Sequence, residues 1–204
     1  RAGAMTRVLV ASRNTKKLAE LRRVLDSAEL SGLTLVSLND VAPFDEAPET
    51  GATFEDNALA KARDGFAATG LPTVADDSGL AVAALNGMPG VLSARWSGTH
   101  GDDGANTALL LAQLRDVPDE RRSATFVSAC ALVSAAGEVV VRGEWAGAIA
   151  HEPRGDGGFG YDPVFIPDGD DRTAAQLTTA EKDAASHRGR ALTLLVPALR
   201  SLPR

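Results

Sequence analysis

The feature that most constrains the fold lies between residues 124 and 150. ATFVSACALVSA (124–135) and EVVVRGEWAGAIA (138–150) are two β-rich runs meeting at Ala135, Ala136 and Gly137. That pattern predicts a long hairpin. Elsewhere the chain alternates between strand and helix. TRVLVA (6–11) reads as a strand, and SRNTKKLAELRRVLDSA (12–28) follows with Leu18, Leu21 and Leu25 at helical spacing. LTLVSL (33–38) is a second strand, and a polar loop leads to a helix over 53–69 with Thr53 as its N-cap. PTVAD (72–76) and LAVAAL (80–85) read as two short strands, NGMPG (86–90) as a turn and ANTALLLAQL (105–114) as a helix. Thr178 and Glu181 form a capping box that opens a C-terminal helix, with a kink expected near Gly189. Alternation combined with a long hairpin predicts an α/β protein whose mixed, twisted sheet is flanked by helices.

With 204 residues, 44% hydrophobic and 24% charged, the chain can bury a sizeable core as one domain or a tight pair of lobes. The net charge of −6 argues against a bulk basic surface for duplex nucleic acid, yet permits a local cationic pocket. Single-stranded nucleic acid is no better served by an acidic chain with 4% aromatic residues. Cys130 sits in the apolar run FVSACALV and reads as a core thiol. No segment approaches the ~18 apolar residues of a membrane span. The opening RAGAM lacks the apolar core of a signal peptide and reads as a tag remnant before Met5, leaving a single domain over 6–204. A reduced, cytoplasmic protein is the expectation.

Five stretches could carry chemistry, and each has an ordinary structural reading beside it. Ser12, Arg13, Asn14, Thr15, Lys16 and Lys17 lie between a strand and a helix. A helix start there could receive phosphate, or the polar residues could simply cap the helix. Glu49 precedes Asn57 and Lys61, which are four apart and share one helix face; Lys61 is either functional or a snorkelling surface lysine. Asp76 and Asp77 precede Ser78 and Gly79. Consecutive strand residues point to opposite faces, so one carboxylate could bind Mg2+ while the other orients a water or a lysine. An Asx-type turn explains the same residues. In GGFGYDP (157–163), Phe159 could stack on a base and Asp162 accept from a sugar or base donor; a tight turn with a core aromatic is the alternative. Lys182, His187 and Arg188 could contact phosphate or a carbonyl oxygen, or decorate a basic helix end. His100 and His151 have no partners at metal-ligand spacing and read as surface histidines.

The order of the motifs adds what none of them carries alone. SxNxxK, ETGxTFxxNAxxKA, ADDSGL, PGxxSARWSG, GGFGYDPxF and EKxxxSHRGxAL follow one another from about Val8 to Leu199. As a set they resemble the inosine triphosphate pyrophosphatase family. The resemblance implies Mg2+-dependent hydrolysis of ITP, dITP and XTP to monophosphate and pyrophosphate. It also implies an elongated, two-lobed α/β fold with a central cleft, and a homodimer. Ser12, Asn14 and Lys17 match the triphosphate-binding segment, within which Arg13 stands where the family often has glycine. Glu49 and Asp77 match the metal-associated acids, and Asp77 also the proton acceptor. Lys61 and Ser78 match substrate contacts. Phe159, Gly160, Tyr161, Asp162, Lys182, His187 and Arg188 match the nucleotide and base pocket, and Arg95 is a further candidate near the substrate.

The implied chemistry is coherent. Splitting a phosphoanhydride requires charge neutralisation on the phosphate oxygens and an oriented water. Mg2+ on Glu49 and Asp77, with Lys17, Lys61 and Lys182, would supply the first; Asp77, preferred over Asp76, would act as general base. Donors from His187 or Arg188 would suit the 6-oxo group of hypoxanthine or xanthine and clash with the adenine amino group. A pyrophosphatase for other modified nucleotides and a non-catalytic nucleotide-binding module are the competing readings.

Overall fold

The computed structural model describes residues 5–203 except 29, 31 and 47. Apart from Met5, the stretch expected to be a tag remnant therefore lies outside the described residues. Among the described residues six strands and five α-helices follow one another as β1 Thr6–Val10, α1 Thr15–Ser27, β2 Leu33–Ser37, α2 Phe54–Thr69, β3 Thr73–Val82, α3 Asp103–Gln113, β4 Ser123–Ser134, β5 Gly137–Ile149, β6 Phe165–Pro167, α4 Thr179–Ala185 and α5 His187–Arg200. They build one sheet of order β2-β1-β3-β4-β5-β6. β1 pairs in parallel with β2 and β3, whereas β5 and β6 run antiparallel, so the sheet is mixed as the hairpin demanded.

The chain divides into two compact units. One comprises Arg1–Asp77, Ser128–Gly143 and Arg188–Arg204, the other Ser78–Val127 and Glu144–His187. In the first, Val8, Val10 and Val74 from adjacent strands pack with Leu21 and Leu25 of α1 and Leu195 of α5. Of the leucines that set the helical period of α1, Leu21 and Leu25 are buried, each contributing about 1.5–3 kcal/mol by leaving water, and Leu18 packs half-buried against them. Cys130 belongs to this core, fully buried, with burial pushing its thiol up to about 12. In the second unit Leu80, Leu110, Phe126, Trp145, Tyr161 and Phe165 form a separate core. Among the described residues no helix is long and apolar enough to cross a membrane.

Two expectations of local structure are corrected. Residues 72–76 and 80–85 are not two strands: β3 runs unbroken from Thr73 to Val82, straight through Asp76, Asp77, Ser78 and Gly79. Gly79 is absent from the glycines with positive φ, so the DDSG segment makes no turn and alternates its side chains as a strand does. The C-terminal helix does not kink at Gly189. It stops at Ser186, whose ψ of 155° is extended, and restarts as α5. The glycine lies safely inside a helix; the break is set by one extended residue before it.

Candidate active site

The charged cluster of the first unit grows from three local structures. Asn14 caps α1, its Oδ1 accepting from the backbone N–H of Lys16 and Lys17 at 3.0 and 3.2 Å. Two of the four free N–H groups at this helix start are therefore satisfied by the cap itself. Ser12 Oγ accepts from Asn14 N–H, Arg13 turns outward to pair with Glu46 at 2.7 Å, and Thr15 and Lys16 are exposed. Lys17 of this segment reaches a strand carboxylate, its Nζ 2.8 Å from Asp76 Oδ2.

Asp76 is the hub of a buried ion network. Its Oδ2 also lies 3.4 Å from Nε of Arg188, whose Nη1 donates to Glu20 Oε2 at 2.7 Å. Arg188 and Glu20 are 3% and 5% exposed. Burial alone would raise the Asp76 pKa, but Lys17, Arg188 and Lys61 outweigh it and hold the carboxyl well below the usual range. The carboxylates of Asp76 and Glu20 conversely raise Arg188, against the cost of its burial. Glu20 was missed by sequence reasoning. Its signal was available: it falls one turn after Lys17, beside the buried Leu21, where an unpaired acid would be costly.

Asp77, one residue on, meets a different set of groups. Its Oδ2 accepts from Asn57 Nδ2 at 2.9 Å, and its Oδ1 lies 3.9 Å from Lys61 Nζ. Lys61 donates to Glu49 Oε1 at 2.7 Å. Asn57 and Lys61 come from one face of α2, which Thr53 starts by accepting from Asp56 N–H. Burial raises the Asp77 pKa; Lys61 and Asn57 oppose it, and the charge of Glu49 adds to it. Desolvation would lower Lys61, but Asp76, Asp77 and Glu49 together keep it raised and charged. The cluster thus contains one carboxylate whose pKa is lowered by its cations and one whose pKa is raised by burial.

In the second unit the glycine-rich loop is pinned rather than open. Asp162, 3% exposed, accepts from Phe159 N–H at 2.8 Å and from Lys182 Nζ at 2.5 Å. Lys182 also lies 4.8 Å from the centroid of the Phe159 ring. Asp162 therefore organises its own loop instead of presenting an outward acceptor. Gly160, at φ +60°, donates its N–H to Asp103 at the start of α3, and Tyr161 donates its hydroxyl to the carbonyl of Ser93. Asp103 is an anchor that no sequence pattern singled out, whereas Ser93 is the serine of the PGxxSARWSG motif. His187 stacks on Phe126 with ring centroids 4.8 Å apart and an interplanar angle of 10°. Ser78 and Arg95 are half-buried, Ser78 directly after Asp77 in β3 and Arg95 at the end of a short helical turn. His151 is exposed, as expected, and pairs with Asp119 at 2.6 Å. A cavity of about 370 Å³ elsewhere in this unit is lined by Ala108, Leu111, Ala112, Arg115, Arg122 and His151. Arg122 is engaged there by the carbonyls of Leu114, Val117, Ile149 and Ala150.

Comparison with known proteins covers nearly the whole chain. A protein from Mycolicibacterium paratuberculosis named dITP/XTP pyrophosphatase is 82% identical over 201 residues, spanning 98% of each chain. Among solved structures, a nucleoside-triphosphatase / dITP/XTP pyrophosphatase from Mycobacterium abscessus is 70% identical with a TM-score of 0.79, covering 95% of this chain and 100% of that one. A HAM1 protein from Coxiella burnetii is 41% identical with a TM-score of 0.88, covering 97% and 100%. The Ham1 family model matches residues 8–198, from β1 into α5 and through both charged clusters; the chain belongs to the Ham1 family.

Proposed function

We propose that this protein is a hydrolase that cleanses the nucleotide pool, cutting ITP, dITP and XTP at the α–β phosphoanhydride to give monophosphate and pyrophosphate. The names of its relatives support the substrate class. The observation that carries the chemistry is the contrast between neighbouring carboxylates: Asp76 is held ionised by Lys17 and Arg188, while burial raises Asp77 beside Lys61. A general base works best when its pKa lies nearer the working pH, which selects Asp77 over Asp76.

Asp77 takes the proton from water, the water oxygen bonds to phosphorus, and the bond from phosphorus to the bridging oxygen breaks. Asn57 keeps the Asp77 carboxylate oriented for that transfer. Lys61, kept charged by three carboxylates, and Lys17 offset the negative charge on the phosphate oxygens. Mg2+ is the cofactor this reading requires. Its fit rests on the donor set: Glu49 and Asp77 are hard oxygen donors close enough that the charge of one raises the pKa of the other. When bound, Mg2+ neutralises phosphate charge as a Lewis acid.

Base recognition is assigned to Phe159, Gly160, Tyr161, Lys182, His187 and Arg188 on the strength of the resemblance, with Asp162 holding the glycine-rich loop in place and the 6-oxo group as the feature read. The same reading carries a homodimer and a cytoplasmic location, where such triphosphates arise; light scattering on the purified protein tests the former. The deciding experiment is a nucleotide panel with Mg2+ that separates pyrophosphate from orthophosphate. Pyrophosphate from ITP, dITP and XTP, with ATP and GTP spared, is expected. Orthophosphate release would overturn the position of cleavage.

A further inference from the structure

Asn57 is 2% exposed, and both ends of its amide are engaged. Nδ2 donates to Asp77 Oδ2 at 2.9 Å, and Oδ1 accepts from Gly51 N–H at 2.7 Å. Gly51 belongs to the loop that carries Glu49, two residues earlier, whereas Asp77 belongs to β3. One side chain therefore ties the strand acid to the loop acid. We propose that Asn57 is a positioning residue that sets the spacing of the Glu49 and Asp77 carboxylates through this two-ended amide. The proposal deepens the pyrophosphatase reading and rests on it.

The chemistry of the position admits few other residues. The side chain must donate at one end, because Asp77 is an acceptor, and accept at the other, because a backbone N–H arrives there. An aspartate has the same shape but would set a second negative charge against Asp77. A serine has one oxygen and too short a reach to span both partners. Gly51 shows the same constraint from the other side: a Cβ there would come 2.6 Å from Asn57 Oδ1 and 2.7 Å from Asp56 Cβ. Only a glycine lets its N–H approach the amide so closely. Thr53 starts α2 with its own cap, so Asn57 is not needed to begin the helix.

Two variants and two readouts test the assignment: kcat and KM for ITP, and binding of Mn2+ to the nucleotide-free protein by electron paramagnetic resonance. Asn57→Ala should lower kcat about 10–100-fold and weaken Mn2+ binding by about tenfold, the range expected when a group that orients metal ligands is removed. KM should stay within about threefold. Asn57→Asp keeps the volume and the acceptor for Gly51 but removes the donor, and it should lose kcat to a similar degree even if the alanine variant fails to fold. Parent-like kcat in a folded variant, with only the melting midpoint lowered, would overturn the positioning role and leave the pyrophosphatase reading intact. Failure of the parent to cleave ITP would sink that reading instead, while Mn2+ binding would still report on Asn57. A parent that binds no Mn2+ removes the proposal altogether.

Discussion

Asp76 and Asp77 are neighbours in sequence and strangers in environment. On an unbroken strand they face opposite ways, so Asp76 meets Lys17 of α1 and Arg188 of α5 while Asp77 meets Asn57 and Lys61 of α2. Asp77→Asn keeps the shape of the site but removes the base proposed above, and kcat for ITP should fall about 10²–10⁴-fold. The melting midpoint should remain within a few degrees of the parent; activity near the parent's would exclude Asp77 from proton transfer. Arg188→Ala is a different case. It leaves Glu20 and part of the charge on Asp76 buried without their cation, at a cost of about 3–5 kcal/mol in urea unfolding. The same variant should narrow the preference for ITP over ATP if Arg188 takes part in base reading, and an unchanged ratio of kcat/KM values would move that role elsewhere. Glu20 was missed although its place beside the buried Leu21 was a local signal, because its partner Arg188 lies 168 positions away and nothing nearby in the chain names it.

At the scale of elements, short helices depend most on their ends. α4 has seven residues and carries Lys182, whose ammonium holds Asp162 and the glycine-rich loop. Its start is a complete capping box, with Thr178 Oγ1 accepting from Glu181 N–H and Glu181 Oε2 from Thr178 N–H. A helix of this length has little propagation to offset nucleation, so the cap matters. Thr178→Ala should cost about 1 kcal/mol. Hydrogen exchange should show the loss as faster exchange confined to α4, and uniform protection would indicate that tertiary contacts alone hold it. This capping box was readable from Thr178 and Glu181, as were the hairpin and the leucine spacing of α1. The continuity of β3 was not. Asp, Ser and Gly are turn formers by local preference, and here pairing within the sheet overrides that preference. β6, only three residues long, exists because β5 offers an edge on which Ile166 pairs with Ala148.

For the whole molecule the ionisable groups set how stability depends on acid. Lys17 and Arg188 hold Asp76 below its ordinary value, and Arg172 holds Asp170 and Glu181 each at about 2. A depressed carboxyl stabilises the fold above its unfolded pKa, near 4, and that contribution disappears as pH falls through the folded value. Asp77, raised by burial, acts in the opposite sense: its contribution is greatest when protonated and declines as pH rises through its folded value. The depressed groups outnumber it, so the urea midpoint should drop steadily as pH is taken from about 5 to 2. A flat profile across that window would mean that these pairs persist in the unfolded chain or contribute nothing.

What the amino-acid sequence determined by itself was everything that depends on neighbours along the chain. Periodicity marked the helices and the hairpin, and the order of short motifs marked the family, because both are local patterns repeated in a set order. The tertiary structure alone decided which of two adjacent carboxylates is held ionised by nearby cations and which has its pKa raised by burial. It also decided that Asp162 organises its loop from within and that Asn57 bonds both Asp77 and the backbone N–H of Gly51. Those outcomes depend on burial and on charges brought close from distant parts of the chain, and the cost of desolvating a charge is defined only once its surroundings exist.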